Sequence, residues 1–332
     1  MTSTNEPIPT EEEIKNGFKF IQDEICKFLI TTTGGHQQYS EDKWDYTKGS
    51  GGGISRVWEG KEEEGFYLNQ DYQSQNNKCD KIEKGGVNFS YIVGSNLPSA
   101  AATQFKIAPD TKYIATGVSL VIHPYNPNVP TIHMNVRYFE AGDVWWFGGG
   151  VDLTPVYPKL DQVVEFHSTL KKVCDQYGQE ENKTSYALGK AECDSYFFLP
   201  HRGETRGVGG LFFDHLKSDK AKTWKFIYQL GLSFIDLYKP FLVNNSSISY
   251  DKVQREYQLY RRSRYVEFNL LFDRGTKFGI LSEGRTESIL MSLPAVCKWK
   301  YNYKPEENTP EANLLTFLRP RDWLNENQEN KN

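Results

Sequence analysis

The sequence contains no long apolar run and no excess of basic residues. Without about 18 consecutive apolar residues, it has no candidate membrane-spanning helix. Its formal net charge is −4, whereas a nucleic-acid-binding protein would be expected to carry a basic stripe. The glycine run Gly51–Gly53 is not followed by the Lys-Ser/Thr pair of a phosphate loop. These absences argue against a membrane protein, a nucleic-acid-binding protein and a phosphate-loop enzyme.

Neither the cysteines nor the N-terminus points to an oxidising compartment. The five cysteines lie far apart in the sequence, at Cys26, Cys79, Cys174, Cys193 and Cys297. An odd number without metal-ligand or redox spacing is typical of reduced thiols. The N-terminus lacks both the apolar centre of a signal peptide and the arginines of a mitochondrial presequence. We therefore expect a cytoplasmic protein.

Aromatic residues, by contrast, are abundant. Phe, Tyr and Trp make up 14% of the chain, and each buried aromatic side chain removes roughly 150–250 Å² from water. The chain can therefore build a large core and an aromatic-walled pocket. No internal repeat or linker divides it, so we predict one domain over 11–325, with flexible ends at 1–10 and 326–332.

The segment from Gly117 to Glu140 alternates apolar and polar residues, as β-strands do. The prolines and asparagines of 124–130 interrupt it and exclude both a helix and a ladder there. We therefore predict two antiparallel strands whose polar faces coincide and form the floor of a site. The polar side chains on that floor are Ser119, His123, His133, Asn135 and Arg137.

Helical periodicity recurs before and after this hairpin. The apolar stripe from Ile14 to Phe28 predicts a helix, which Thr10 and Glu13 begin with a capping box. Further helices are predicted at 161–177, 191–198, 219–243, 250–262 and 311–318, with a short one after Gly284. Strands are predicted within 36–84 and at 87–92, 144–155, 210–214 and 265–275. This order favours an α+β single domain, an antiparallel sheet flanked by helices, over a βαβ alternation.

Four histidines allow two interpretations: His123, His133, His167 and His201. A metal site would require them to converge, and strand alternation places only His123 and His133 on one sheet face. Scattered histidines are also common as hydrogen-bonded structural groups. We favour His133, beside Asn135 on the polar face, as a proton or hydrogen-bond donor, and we do not expect a metal.

Arginines and two aspartates complete the candidate chemistry. Arg137 on the polar strand and Arg285 in a glycine turn are expected to bind an anion, because a guanidinium fork matches a carboxylate or phosphate. The arginines of 255–264 are instead expected to form surface or internal ion pairs. Asp214, at the end of an apolar strand, either caps a helix or accepts a ligand's N–H groups. Asp152 raises the same question with a weaker case.

Five blocks, in this order, resemble the oxygen-dependent coproporphyrinogen III oxidases: GVSLVIHPYNPNVPTIHMNVRYFEA, WWFGGGVDLTP, YFFLPHRGETRGVGGLFFD, YVEFNLLFDRGTKFG and GRTESILMSLP. The likeness runs from about Gly51 to the RDWL motif near the end, and so covers most of the chain. Several long blocks together are far more specific than a single motif.

The resemblance implies an enzyme of haem biosynthesis. Such an enzyme converts two propionates of coproporphyrinogen III to vinyl groups and gives protoporphyrinogen IX, with O₂ consumed and CO₂ and H₂O₂ released. The resemblance also implies a large, flat antiparallel sheet sandwiched between helices, no organic cofactor, and a homodimer with the region around 265–297 in the interface. Bacterial members have been described with a divalent metal on four histidines, which match His123, His133, His167 and His201.

By position, the resemblance also assigns residue roles. His133 matches the proton donor, and Asp214 matches the acid proposed to hold the pyrrole N–H groups. The matching substrate contacts are Ser119, Asn135, Val136, Arg137, Gly284 and Arg285. Two positions depart from the family. Glu283 stands where many members have Gly, and we expect it to face outward; His215 replaces an acidic residue, which argues against a carboxylate pair with Asp214.

An alternative from another functional class is a non-catalytic tetrapyrrole carrier with the same pocket. A carrier would bind the substrate stoichiometrically without oxygen uptake. The radical route to the same product requires a Cys-x₃-Cys-x₂-Cys motif, which the sequence lacks. We therefore predict the oxygen-dependent oxidase.

Overall fold

The computed structural model describes residues 7–60, 81–95, 97, 102–103, 106–108, 110–179, 184–281 and 284–325. Its helices are α1 (Glu11–Thr32), α2 (Leu160–Tyr177), α3 (Tyr186–Tyr196), α4 (Lys220–Asn244), α5 (Lys252–Leu271), α6 (Arg274–Leu281), α7 (Thr286–Leu290) and α8 (Pro310–Phe317). Its strands are β1 (Ser40–Asp45), β2 (Gly49–Glu59), β3 (Ile82–Gly94), β4 (Tyr113–Pro124), β5 (Thr131–Ala141), β6 (Val144–Thr154), β7 (Phe198–Leu199), β8 (Glu204–Thr205) and β9 (Gly210–Leu216).

Seven strands form one antiparallel sheet in the order β1-β2-β3-β4-β5-β6-β9. Helices α1, α2 and α4 pack against its apolar face, where their buried residues share one core with those of the strands. On the other face, Ser288 of α7 bonds to Ser55 of β2 and Asn88 of β3, while Tyr265 of α5 lies against His123 of β4. The α+β single domain, with its sheet between two layers of helices, is thus confirmed.

The central hairpin forms as the sequence predicts. β4 and β5 pair antiparallel, with Ser119 opposite Asn135 and Gly117 opposite Arg137. The alternate side chains of both strands are fully buried in the core: Val118, Leu120, Ile122, Ile132, Met134 and Val136. The polar faces of the two strands therefore coincide, as predicted.

Helix α1 confirms both its apolar stripe and its predicted N-terminus. The Thr10 hydroxyl accepts a hydrogen bond from the Glu13 backbone, and the Glu13 side chain accepts one from the Thr10 backbone. This reciprocal pair satisfies two amide groups that the first turn would otherwise leave without partners. Ile14, Phe18 and Ile21 are fully buried, so the stripe is the face that α1 turns to the sheet.

The prediction of a strand at 265–275 is wrong, because residues 265–271 complete helix α5 and Arg274 begins α6. The alternating apolar residues of this segment do not share a face: Phe268 is fully buried, whereas Leu270 is 47% exposed. Helix α5 lies between the sheet and the C-terminal segment, and most of its circumference is buried. A helix covered on nearly all sides loses the apolar stripe, so a short apolar run within it resembles a strand.

Two helix boundaries also differ from the prediction. Helix α3 begins at Tyr186 rather than near residue 191, and α5 continues beyond Arg262 to Leu271. The helix predicted at 161–177, the long helix at 219–243 and the strand pair within 36–84 are confirmed. Glu283, predicted to face outward, lies outside the described residues.

Candidate active site

The polar face of the central strands is built from small and polar residues. The ladder aligns Ser119 of β4 with Asn135 of β5, and the next row aligns Gly117 with Arg137 and with Gly148 of β6. Ser119, Asn135 and Arg137 remain partly exposed, although their strands lie in the middle of the sheet. These three side chains are therefore accessible from the polar side of the sheet.

An ion pair between Arg137 and Asp214 stands on this floor. Arg137 Nη2 lies 2.9 Å from Asp214 Oδ1, and Arg137 Nη1 donates to Asn135 Oδ1 at 2.6 Å. The Arg137 and Asp214 side chains keep 31% and 22% exposure, so one ligand can reach both. Asp214 Oδ2 lies 4.0 Å from Arg274 Nη2, beyond hydrogen-bond distance, and so retains capacity to accept N–H groups.

The other interpretation of Asp214, as a helix cap, is wrong. Helix α4 begins just after β9, but its cap is Asp219, whose side chain accepts a hydrogen bond from the Lys222 backbone. Asp214 accepts a hydrogen bond from the amide of the next residue, His215, and contacts Arg137. The carboxylate of Asp214 therefore belongs to the polar floor rather than to the helix.

A β-bulge places Asp214 on this floor. Leu216 pairs with Phe147 and Phe213 pairs with Gly149, so Asp214 and His215 together oppose the single residue Gly148. A bulge of this kind inserts one extra residue and redirects the side chains beside it. A Cβ on Gly148 would lie 2.7 Å from Asp214 Oδ1 and 3.0 Å from Arg137 Nη2. The glycine therefore makes room for the ion pair.

His133 is oriented by a buried ion pair. Its Nδ1 lies 2.8 Å from Asp152 Oδ1, and Arg206 Nη2 donates to the same carboxylate at 2.7 Å. Burial raises the pKa of Asp152, but the Arg206 charge and the His133 hydrogen bond outweigh burial and hold that pKa below its ordinary value. The ionised carboxylate keeps a proton on Nδ1, so Nε2 is the atom of the partly exposed ring that can exchange a proton with a ligand.

The roles of Asp152 and Arg206 were not predicted from the sequence. Arg206 is only 2% exposed and lies over the rings of Phe197 and Tyr265, at 4.0 and 4.5 Å. A local signal for Asp152 did exist, because β5 and β6 are joined by the two residues Gly142 and Asp143. A two-residue hairpin loop fixes the register, and that register pairs His133 with Asp152.

The remaining predicted substrate contacts lie in two other places. The Val136 side chain is fully buried on the apolar face, so only its backbone can approach the floor. Gly284 and Arg285 lie just before α7, where the Arg285 guanidinium is bonded to Asp42 of β1 and to Ser288 Oγ. Arg285 therefore stands over the β1 side of the sheet, away from the Arg137–Asp214 pair. The polar face of the sheet extends from Arg285 on the β1 side to Arg137 on β5.

The four histidines discussed as metal ligands do not come together. His123 and His167 each donate Nε2–H to a backbone carbonyl, at 2.9 and 3.1 Å, and His201 Nε2 lies 2.7 Å from Glu267. His167 belongs to α2, on the apolar side of the sheet, whereas His133 lies on the polar side. Within the described ranges no three His, Cys, Asp or Glu side chains are grouped to hold a metal ion. These residues do not fit a shared metal.

All four arginines of 255–264 form internal ion pairs, one of the two arrangements expected for them. Arg255 and Arg262 contact the two oxygens of Glu83, at 2.8 and 2.7 Å, and Arg261 contacts Glu204 at 2.7 Å. All five side chains are largely buried. These arginines hold α5 to the strands and are not directed at the polar floor.

An exposed apolar surface covers the end of α5 and the length of α6. It consists of Leu270, Leu271, Phe278, Ile280 and Leu281, which are 47–84% exposed. This surface falls within the region, around 265–297, that the family resemblance implies for a dimer contact. As for membranes, none of the helices in the described part of the chain combines the length and the hydropathy needed to cross a bilayer.

Comparison with known proteins identifies the family of this chain. A family model described as coproporphyrinogen III oxidase matches residues 13–323. The match contains the whole polar floor, the bulge with Asp214, the buried pair behind His133 and the segment of Arg285. The chain therefore belongs to the coproporphyrinogen III oxidase family.

Proposed function

We propose that this chain catalyses the oxygen-dependent conversion of two propionates of coproporphyrinogen III to vinyl groups, giving protoporphyrinogen IX. The observation that supports this most strongly is the Arg137–Asp214 pair, which stands on an accessible floor of small residues. A reduced tetrapyrrole carries four pyrrole N–H donors and four carboxylates. The floor offers an acceptor for the donors and a cation for the carboxylates, side by side.

Asp214 is the residue proposed to activate the pyrrole. Its Oδ2 accepts pyrrole N–H groups. The negative charge of Asp214 would by itself disfavour negative charge on the macrocycle, and the positive charge of Arg137 compensates for this. The 2.9 Å contact with Arg137 supplies that balance. Asp214 takes the pyrrole proton and returns it to the ring nitrogen before the product leaves. The fixed carboxylate and guanidinium stabilise the charge that moves in this step without having to reorganise. The electron-rich pyrrole then reacts with O₂ directly.

The proton balance of the reaction gives His133 its role. Each propionate carboxylate, with one O₂ and one proton, yields a vinyl group, CO₂ and H₂O₂. O₂ is reduced by two electrons, and the C–C bond to the carboxylate breaks as CO₂ leaves. One hydrogen of the H₂O₂ comes from the propionate side chain, and the other must come from the protein or solvent. His133 Nε2 is the proposed donor, because Asp152 occupies Nδ1.

Arginines are proposed to hold the propionates. Arg137 and Arg285 stand at separate places along the polar face, and Arg274, with a 63% exposed side chain, stands beside Asp214. Each charge-assisted hydrogen bond to a carboxylate contributes about 1.5–3 kcal/mol. Ser119 and Asn135 lie between these arginines and complete the proposed contacts, with the Val136 backbone and Gly284.

The proposal requires neither an organic cofactor nor a metal, with O₂ as the co-substrate. Two assignments rest on other grounds: the N-terminal sequence suggests a cytoplasmic location, and the family resemblance implies a homodimer formed through the region around 265–297. The exposed apolar surface of α5 and α6 supports the dimer, because an exposed patch of this kind often marks an interaction site.

The test is turnover of coproporphyrinogen III by the purified protein in air. Products are oxidised and measured as protoporphyrin by fluorescence. We expect Asp214→Asn to lower kcat/KM by about a hundredfold or more, because it removes the charge next to the reacting pyrrole. Asp175→Asn is the control, since Asp175 is an exposed residue of α2. Turnover at the wild-type rate in Asp214→Asn would remove Asp214 from the mechanism.

The same experiment tests the carrier alternative. A carrier would bind coproporphyrinogen III at a ratio of one per chain, would consume no oxygen and would form no protoporphyrinogen. Binding without oxygen uptake by the wild-type protein would therefore replace the oxidase with the carrier.

A further inference from the structure

A small polar cavity lies between α5 and the sheet, beside the His133–Asp152 pair. Its volume is about 20 Å³, which is enough for one water molecule or one monoatomic ion. Thr131 and Thr154 pair in the β5–β6 ladder two positions from His133 and Asp152, and they therefore share the same face of the sheet. The polar side chains that line the cavity include Thr131, Thr154, Arg206, Arg261, Arg262 and Tyr265.

The charge around this cavity favours an anion. Three arginines line it, whereas none of the aspartates and glutamates in the described part of the chain does so. The carboxylates that pair with these arginines are Asp152, Glu204 and Glu83, and they lie outside the lining. Guanidinium groups stay protonated in proteins. A ligand in the cavity therefore meets three permanent positive charges and no negative one.

Arg262 has the least compensation among the three arginines. It shares the Glu83 carboxylate with Arg255, at 2.7 and 2.8 Å, and burial lowers the pKa of Arg262 by more than Glu83 raises it. Among the described residues, neither Arg262 Nε nor the Tyr265 hydroxyl has a hydrogen-bond partner, although both are buried. Buried donors without partners are destabilising, so two of them beside one cavity indicate a ligand that accepts hydrogen bonds.

We propose that the cavity binds a monoatomic anion, a halide such as chloride, with Arg262 Nε and the Tyr265 hydroxyl as its donors. A water molecule could accept from both donors, but it would bring no negative charge to the three guanidinium groups. A halide is close to water in size and supplies that charge, whereas phosphate and carboxylates need more room. None of the proposed tetrapyrrole contacts lines the cavity, so the site is separate from the polar floor.

The test follows thermal unfolding while chloride replaces gluconate at constant ionic strength, so that screening does not change. Tyr265→Phe removes only the hydroxyl donor. Tyr186→Phe is the control, because the Tyr186 hydroxyl bonds to His167 on the apolar side of the sheet. We expect the unfolding midpoint of the wild type and of the control to rise by about 2 °C for each tenfold increase in chloride above its Kd. Tyr265→Phe should need about tenfold more chloride for the same rise, because it loses a hydrogen bond to a charged ligand.

Crystals of the wild-type protein grown in sodium bromide give a readout that does not depend on how the variants fold. We expect an anomalous bromide peak in the cavity, in contact with Arg262 Nε. Water density there without an anomalous peak would overturn the inference. A midpoint that does not respond to chloride, or that responds equally in Tyr265→Phe and Tyr186→Phe, would overturn it as well.

Discussion

At the scale of single residues, the Asp152 carboxylate determines what His133 can do. Asp152 is 2% exposed and is kept ionised by Arg206, which is equally buried. The Asp152 carboxylate has two partners, the Arg206 cation and the His133 imidazole. It orients the imidazole and favours a proton on His133 Nδ1. The imidazole ring is thereby fixed with Nε2 as its reactive atom. The same geometry makes the His133–Asp152 pair sensitive to the loss of Arg206.

We predict that His133→Asn lowers kcat by about a hundredfold or more, the usual contribution of a general acid. His201→Asn is the matched control: it removes a partly exposed histidine that is bonded to Glu267 and not to the floor. Steady-state rates with coproporphyrinogen III decide the outcome. A loss of equal size in both variants would contradict the separate role of His133 and would instead favour a function shared by the histidines.

Strand alternation determined which site residues could be predicted from the sequence. Ser119, His133, Asn135 and Arg137 were predictable, because the period of two places them on one face whatever the rest of the fold. The partner of His133 was less accessible, since Asp152 reaches it only through the register of the β5–β6 hairpin. The position of Arg206 beside Asp152 could not be predicted from the sequence, because it depends on a loop and on burial against α5.

At the scale of elements, the bulge in β9 is the feature on which the site depends. It lets two consecutive residues face the floor, and it needs a glycine opposite them to leave space for the ion pair. A bulge has no periodic sequence pattern. The sequence therefore predicted a short strand that ends at Asp214, but it did not predict where the side chain of His215 lies. The prediction of a strand at 265–275 was wrong for a related reason. The conformation of this segment is determined by the tertiary burial of α5 and not by the local pattern of apolar residues.

We predict that Gly148→Ala lowers kcat/KM by between about tenfold and a hundredfold, because a misplacement near 1 Å in a site has effects of that size. The added methyl group would lie 2.7 Å from Asp214 Oδ1 and would separate it from Arg137. Activity and thermal unfolding are measured on the same preparation. Full activity in a normally folded variant would show that the contact between Asp214 and Arg137 is not required.

At the scale of the whole molecule, buried neutral histidines tie stability to pH. His167 is fully buried, and burial lowers its pKa from 6.5 to about 3. The unfolded chain therefore takes up a proton at this residue below pH 6.5, whereas the folded chain does not. Stability that is complete above pH 6.5 is lost as the pH falls toward 3, at up to about 1.4 kcal/mol per pH unit for this residue.

His167→Gln should remove this contribution. We predict that the free energy of unfolding falls less steeply between pH 6.5 and pH 5 in the variant than in the wild type, although the variant is less stable at pH 7. Urea unfolding at several pH values measures both slopes. Parallel slopes for the two proteins would contradict the assignment of His167 as a buried neutral group.

The proposed homodimer is also a property of the whole molecule. Leu281 is 84% exposed and lies at the end of the apolar surface of α5 and α6, whereas Val253 is 64% exposed at the opposite end of α5. We predict that Leu281→Glu dissociates a wild-type dimer and that Val253→Glu leaves it intact, because a charge placed within an apolar contact must be desolvated. Sedimentation velocity distinguishes the two. A monomeric wild type, or two variants that behave alike, would contradict this interface.

The central claim is that Asp214 and Arg137 make the bound tetrapyrrole react with O₂ without the help of a metal. The most direct measurement is oxygen uptake during turnover of coproporphyrinogen III by metal-stripped protein, with and without a chelator, alongside CO₂ release. The account predicts one O₂ consumed for each CO₂ released, at the same rate in both conditions. Turnover that stops with the chelator and returns with added metal, or that proceeds without oxygen uptake, would contradict it.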